Sequence, residues 1–431
     1  MNNPPHKHSI VPFAGVDRRV ACLRGVLLAA TLLGLLTSVP AWFNSRLYPL
    51  TPIASWFPIL PSPWDKCLFG LMLAALVAAG WFYRQAVIAF LALSLFAFCQ
   101  DQNRGQPWLY MYWVMLLLTL FPPSASIAAC RLGMTAVYLW SGIQKCNARF
   151  FKVVPSSFIS PAQNWHLPPI LIRLLEAGVA ASPFIEIAIA LALWIPGARR
   201  PALAVVVLLH AGALLFLGPF ARNYNTVVWP WNLAMVALIW VLFSTSKLFP
   251  ATTTPQPALS KLSPKKSPAS GPAMASALQI DLGQSFRELL RCKPALIIVA
   301  LFALLPVLSF TGKWDSYFSF ALYSENQAIA NVFITKEFGD GLPAEMRGYV
   351  KPFLQDYDPV HQGAYGFAFE QWCYESMHVP PLPEVRGFRV MYQFLRTYAK
   401  KPSDLRMIIG TRGGKVIFYE GDNVEFLEPQ R

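Results

Sequence analysis

Long apolar runs with almost no charge constrain this chain more than any other feature. Residues 20–42 carry one charged side chain, Arg24, and similar runs follow along most of the next three hundred residues. Such runs are fit for lipid, where every backbone N–H and C=O must find a partner inside its own segment, so a spanning element is a helix or a strand of a closed barrel. Runs of this length suit helices, which need about 17–25 residues to cross. Composition agrees: 55% of the 431 residues are hydrophobic and 13% are charged, against roughly 25% charged in a soluble domain. The fold class expected is an all-α polytopic membrane helix bundle with a small C-terminal α+β extracytoplasmic domain.

The apolar segments predict about nine spans, over 20–42, 66–83, 85–99, 108–121, 127–144, 182–195, 201–220, 228–243 and 294–310. Residues 145–181, rich in Pro, Phe, Trp and Asn, are too polar to span and predict an interfacial connection. The domains that result are a cytoplasmic N-terminal tail (1–19), a membrane domain (20–246), a basic Pro/Ser-rich cytoplasmic linker (247–293), the last transmembrane helix (294–312) and an extracytoplasmic α+β domain (313–431). In that domain, 319–323 and 330–335 look like strands, 383–400 has helical spacing, and 406–410 with 415–419 form a hairpin around Thr411-Arg412-Gly413-Gly414.

Charge sets the orientation. Residues 1–312 hold 23 Lys/Arg against 7 Asp/Glu, and residues 313–431 hold 13 against 15. With a cytoplasmic N-terminus and nine spans, fifteen of those 23 basic residues fall on the inner side, as the positive-inside rule requires. The C-terminal domain is then outside, and the location expected is the plasma (inner) membrane. The basic excess belongs to membrane loops, and no basic, aromatic-interleaved soluble patch indicates nucleic acid. Seven cysteines show no CxxC or Cys/His spacing, so no metal site is expected.

Within the membrane domain, residues 138–232 carry the costly groups. Polar and ionisable residues inside a bilayer are functional candidates by default. Lys145 ends the fifth span; a desolvated lysine can serve as a general base, or it snorkels from the helix end. His210 lies near mid-span, as a proton shuttle, as a metal ligand for which no second His or Cys stands at ligand spacing, or as a hydrogen-bonding link between helices. Glu186 is costly where it sits and suits pairing with His210 or Lys145. These three are the catalytic candidates. Gln144, Asp101, Asn103, Arg104, Arg222, Asn225, Trp231 and Asn232 gather on the same outward side as substrate-binding candidates. Trp231 also suits an interfacial belt, and the 101–104 loop an ordinary hydrophilic connection.

From Tyr138 the chain reads YLWSGIQKCNARFF. This resembles the tyrosine–small–glycine–hydrophobic–x–lysine helix end of the vitamin K-dependent γ-carboxylase-like, or HTTM, family. His210, the asparagines ahead of the eighth span and the DQNRGQPW loop are similar in layout. The resemblance covers about residues 15–246 and is nearest to a bacterial member of unassigned chemistry. It implies a reduced quinone as cofactor, Lys145 as its base, and carboxylase-like lyase chemistry. Two features depart from the family: Asn103 precedes Arg104 where the carboxylase has a histidine, and a tail of about 120 residues replaces its large β-rich region. The functions expected are therefore an enzyme acting on a quinol or lipid-like substrate from an outward-facing pocket, or a non-catalytic membrane protein whose external domain binds a protein partner.

Overall fold

The structure, a computed structural model, describes residues 17–219, 221–223, 225–244, 273–352 and 365–427. Most of the expected N-terminal tail and of the 247–293 linker lies outside the described residues. The first helix, α1 (Arg18–Thr37), starts where the Asp17 carboxylate accepts the N–H groups of Arg19 and Val20 at 3.0 and 3.2 Å, which satisfies two of the orphan donors of the first turn. Next come α2 (Trp64–Ala78) and α3 (Tyr83–Gln100), packed against each other. The chain reverses over 79–82, so the turn expected at Arg84-Gln85 lies a few residues earlier and Arg84 belongs to α3. Helices α4 (Pro107–Leu118) and α5 (Pro123–Lys145) each open on a proline, whose missing N–H costs nothing in a first turn.

The stretch expected to be an interfacial connection holds α6 (Ala148–Ile159), a 3-10 turn, and the first half of α7 (Pro169–Ala192). The helix that holds the span expected over 182–195 therefore begins at Pro169. Pro183 lies inside α7, and a proline there removes one helix hydrogen bond without ending the helix when neighbouring helices pack around it. The chain continues through α8 (Pro196–Leu217), α9 (Val228–Phe243), α10 (Ala273–Arg291) and α11 (Lys293–Leu304). Five of the described helical segments are long and apolar enough to cross a membrane: α1, α3, α7, α8, and α11 with its 3-10 extension to Thr311. Helices α4 and α9 are shorter and also apolar. The chain is a mostly helical, multi-pass membrane protein.

A small sheet domain follows. Its strands β1 (Ile329–Ile334), β2 (Val350–Pro352), β3 (Tyr365–Phe367), β4 (Leu405–Gly410), β5 (Val416–Glu420) and β6 (Asn423–Leu427) form one antiparallel sheet in the order β2-β3-β1-β4-β5-β6. Four helices accompany them: α12 (Lys336–Gly341), α13 (Ala344–Arg347), α14 (Phe369–Met377) and α15 (Val385–Arg396). The expected hairpin is β4–β5, and the helical spacing over 383–400 is α15. The strand expected over 319–323 is not formed. Residues 317–319 make a 3-10 turn, and Phe320 and Tyr323 take left-handed backbone at φ 58° and 56°, a geometry no strand tolerates.

The domain is fastened to one end of the bundle. Asn103 Oδ1 accepts the Leu382 N–H at 3.0 Å, Gln106 donates to the Pro380 carbonyl at 3.0 Å, and Arg386 donates to Gln102 at 2.7 Å. The Tyr48 ring packs on Trp372 at 4.9 Å, and buried apolar residues of bundle and domain form one continuous core. Beneath this joint lies a buried charge cluster. Arg104 donates to the carbonyls of Ala41, Ala97 and Trp42 and to Asn44 at 2.6–3.0 Å. Asp101 pairs with Arg46 and accepts from Thr51 and Asn103.

Burial pushes the Arg104 guanidinium down to about 10, so it keeps its charge at neutral pH. Burial alone would raise the Asp101 carboxyl, but the Arg46 and Arg104 guanidiniums and the Thr51 N–H outweigh it and hold the group below the ordinary carboxylate range. A carboxyl with a depressed native pKa stabilises the fold fully above its unfolded value, about 4, and the contribution fades as pH falls through the lower native value. Thermal melts in detergent at stepped pH should therefore show stability lost below about pH 4. Asp101→Asn should be less stable at pH 7 and flatter across that acid window; a wild-type slope retained by the variant would remove Asp101 as its source.

Candidate intramembrane pocket

Tyr138, Ser141 and Lys145 recur on one face of α5 at helical spacing, with about 10 Å of rise from first to last at 1.5 Å per residue. That face is turned to a cavity of about 500 Å³ between α5, α6, α7, α8 and α9. Its lining is chiefly apolar, with Phe150, Leu175, Phe216 and Met235 among the walls and Phe320, Leu322 and Tyr323 contributed from the segment after α11.

Two hydrogen-bonded sets supply most of the polarity. In the first, the Lys145 ammonium donates to both Glu186 oxygens at 2.8 Å and to Ser141 Oγ at 2.7 Å. The two side chains are 11% and 10% exposed, so the charges are desolvated and depend on each other. Gly142 lets the helices meet. A Cβ there would sit 2.6 Å from the Pro183 carbonyl oxygen, closer than any side chain allows, and this approach brings α7 near enough for Glu186 to reach the lysine.

The second set is Tyr138, His210 and Asn232. Asn232 Nδ2 donates to the Val228 carbonyl at 2.7 Å, so its Oδ1 is the acceptor facing His210 Nδ1 at 2.6 Å. In the neutral ring Nδ1 then carries the hydrogen and Nε2 accepts from the Tyr138 hydroxyl, also at 2.6 Å. The tautomer follows from the asparagine, and the pair of bonds ties α5, α8 and α9 together.

The structure thus brings Lys145, Glu186, His210, Trp231 and Asn232 to one cavity. The indole N–H of Trp231 is buried there without an acceptor among the described residues. The other candidates lie around it. Gln144 faces away, bonded to Ser309 and Asn326. Asn225 donates to the Tyr323 hydroxyl at 2.8 Å, above the cavity. Arg222 reaches Ser157 and Ser160 at the end of α6. Asp101, Asn103 and Arg104 do not line the cavity and make the joint described above. Tyr138 and Ser141, absent from the expected site, are in it; Ser141 stands four residues before Lys145 and Tyr138 three before Ser141, and that helical spacing was the available signal. Among the described residues no group of three or more His, Cys, Asp or Glu is placed to hold a metal.

Residues 123–228 match the family described as Methylamine utilisation protein MauE. No curated protein and no solved structure matches the chain. The matched stretch runs from the start of α5 to the first residue of α9 and holds Tyr138, Ser141, Lys145, Glu186 and His210. The protein is therefore an integral membrane protein with a MauE-like segment. This corrects the resemblance to the HTTM family, which is a different family. The carboxylase and lyase chemistry implied by that resemblance goes with it.

Removing one partner of a buried ion pair leaves an uncompensated charge, at a cost of about 3–5 kcal/mol. Lys145→Met and Glu186→Leu should each lower stability by about 3 kcal/mol or more in detergent melts. The double variant should recover much of that loss. Strictly additive losses would show that the two groups do not depend on each other.

Proposed function

We propose that the protein binds a lipid-soluble molecule of the quinol class in this cavity, with its polar ring against the two hydrogen-bonded sets. The observation that carries the reading is the pairing of an apolar chamber of about 500 Å³ with polar groups gathered along α5, α7 and α8. That is the anatomy of a small-molecule site: apolar walls, with a few placed polar groups that orient the ligand. Tyr138 and His210 supply a hydroxyl and an imidazole for proton exchange with a ring hydroxyl. An ammonium held by both oxygens of a carboxylate is a hydrogen-bond donor, so Lys145 serves as a base only when its pair with Glu186 opens. The name of the matched family attaches to methylamine utilisation, and we place this chain in an accessory role beside a partner system, with the ligand as its link to the membrane.

We further propose nine crossings, with the N-terminus in the cytoplasm and the C-terminal domain outside the plasma membrane. Arg19, Arg24, Arg131 and Arg199 support this, because they donate to carbonyls at the C-terminal ends of α9, α4, α9 and α7. Cations favour such ends, and these lie away from the joint with the sheet domain, where positive charge marks the cytoplasmic side.

The test is saturable quenching of tryptophan fluorescence by decyl-tailed ubiquinone in nanodiscs. His210→Ala and Glu186→Gln should each weaken binding by about tenfold, because each frees the group it holds in place for the ligand, Tyr138 or Lys145. Unsaturable partitioning, the same in wild type and variants, would overturn the reading.

A second reading, a protein partner for the external domain, is favoured by β6. Val424 and Phe426 pair across from Tyr419 and Ile417 and so share the face that those two bury, yet they are 46% and 71% exposed. The core face of the sheet runs past its cover there. Phe426→Lys in the full chain should abolish crosslinks to a partner in native membranes while leaving quinone binding intact; an unchanged crosslinking pattern counts against this surface.

A further inference from the structure

Several residues that line the cavity also lie on the outside of the bundle. Leu174 of α7 is 60% exposed and Leu208 of α8 is 71% exposed, and both line the cavity. A side chain that faces a chamber and the exterior at once stands at a mouth. Between the two leucines the helices offer Gly178 on α7 and Gly212 on α8, also lining residues, and a Cβ at either would meet nothing within 4 Å. Other seams of the chamber are tied among the described residues, and on the α6 side the Phe158 ring meets Phe216 of α8. Lys145 and Glu186 close α5 on α7, His210 and Asn232 close α8 on α9, and the Asn225–Tyr323 hydrogen bond holds the roof.

The opening is therefore a slot between α7 and α8. Both helices are long and apolar enough to cross a membrane, so in a bilayer the slot faces hydrocarbon. A chamber of about 500 Å³ is of the size that encloses a drug-sized molecule, and it has no room for a ring and a long chain together. An apolar chain left in hydrocarbon loses nothing by staying there, since lipid tails are as apolar as any protein wall.

We propose that the ligand is a long-tailed amphiphile that enters sideways from the lipid, seats its head by Tyr138, Lys145, Glu186 and His210, and leaves its tail running out between Gly178 and Gly212. This rests on the cavity being a binding site and adds the route and the tail. The slot favours membrane-resident molecules, because the route through it begins in the bilayer.

Affinities of a tailless dimethoxybenzoquinone and of its decaprenyl-tailed counterpart, measured on the full chain in nanodiscs, separate the two ideas. In Gly178→Trp and in Gly212→Trp, an indole fills the gap. The ratio of tailed to tailless affinity should fall at least tenfold from its wild-type value. Binding of neither quinone by wild type defeats the cavity reading itself. Binding of both by wild type, with the ratio unchanged in both variants, overturns the slot and leaves the cavity reading standing. Equal loss of both quinones overturns it too, since the glycine gap would then belong to the head site. A decaprenyl probe with a photoreactive group midway along its tail gives a second measurement on the unaltered protein. It should label α7 or α8 beside Leu174 and Leu208; labelling at Tyr138 or Ser141 would contradict the slot.

Discussion

The pair of Lys145 and Glu186 fixes how the MauE-like helices stand. Two ions withdrawn from water are tolerable in an apolar bundle only when their geometry is close to complete, and here both carboxylate oxygens and Ser141 surround one ammonium. That geometry requires α5 and α7 to touch, and Gly142 against the Pro183 carbonyl is the contact that permits it. With α7 drawn to α5 at this point, α8 is anchored instead through His210, to Tyr138 on one side and Asn232 on the other. The chamber is the space these two anchorages leave between α7 and α8. Charge pairing, helix approach and cavity are one feature seen at three scales.

The sheet domain bears on the same chamber through a short strap. After α11 the chain passes over the cavity at Phe320, Leu322 and Tyr323, and three non-glycine residues there, Phe320, Tyr323 and Glu325, hold left-handed backbone. Such conformations persist only where surrounding contacts impose them. Here the contacts are Asn147 on the Ser324 carbonyl, Asn225 on the Tyr323 hydroxyl, Asn326 on Gln144, and the ion pair of Arg149 with Glu325. The roof of the cavity and the attachment of the sheet domain are thus made by the same few residues, and the joint at Asp101 and Arg104 holds the other side of the domain to the ends of α1 and α3.

Much of the candidate site was legible because lipid makes ionisable groups conspicuous. Lys145, Glu186, His210 and Asn232 stand out against apolar helices, and all four line the cavity. The hairpin of β4 and β5 was equally plain from its glycine turn. What hid from the sequence depends on partners far away in the chain. Arg104 looks like a loop cation, but its acceptors are the carbonyls of Ala41, Ala97 and Trp42, and main-chain acceptors leave no mark in side-chain chemistry. The start of α7 at Pro169 does not stand out because residues 145–181 read together are too polar to span, and the apolar second half is masked by the Pro, Trp and Asn of the first. The likeness of YLWSGIQK to another family misled for a physical reason. A glycine where helices cross closely and a lysine at a helix end are demands of the bilayer, and different membrane families meet them with similar residues.

The hydrogen-bond directions say what the chamber asks of a ligand. Asn232 is committed to the Val228 carbonyl, so it presents only an acceptor to His210, and the neutral ring must in turn accept from Tyr138. The Tyr138 hydroxyl has therefore spent its hydrogen and keeps acceptor capacity for a ligand O–H. Lys145 gives its three hydrogens to the two Glu186 oxygens and Ser141 Oγ, so it offers a ligand carbonyl or phenolate its charge, and a hydrogen bond only where the pair with Glu186 opens. A molecule with a hydroxyl at one end of a ring and an oxygen acceptor at the other matches both sets, which recur on α5 about 10 Å of helix apart. A ring of that kind changes its donors and acceptors when it is oxidised or reduced, so its two forms bind this fixed array with different strength.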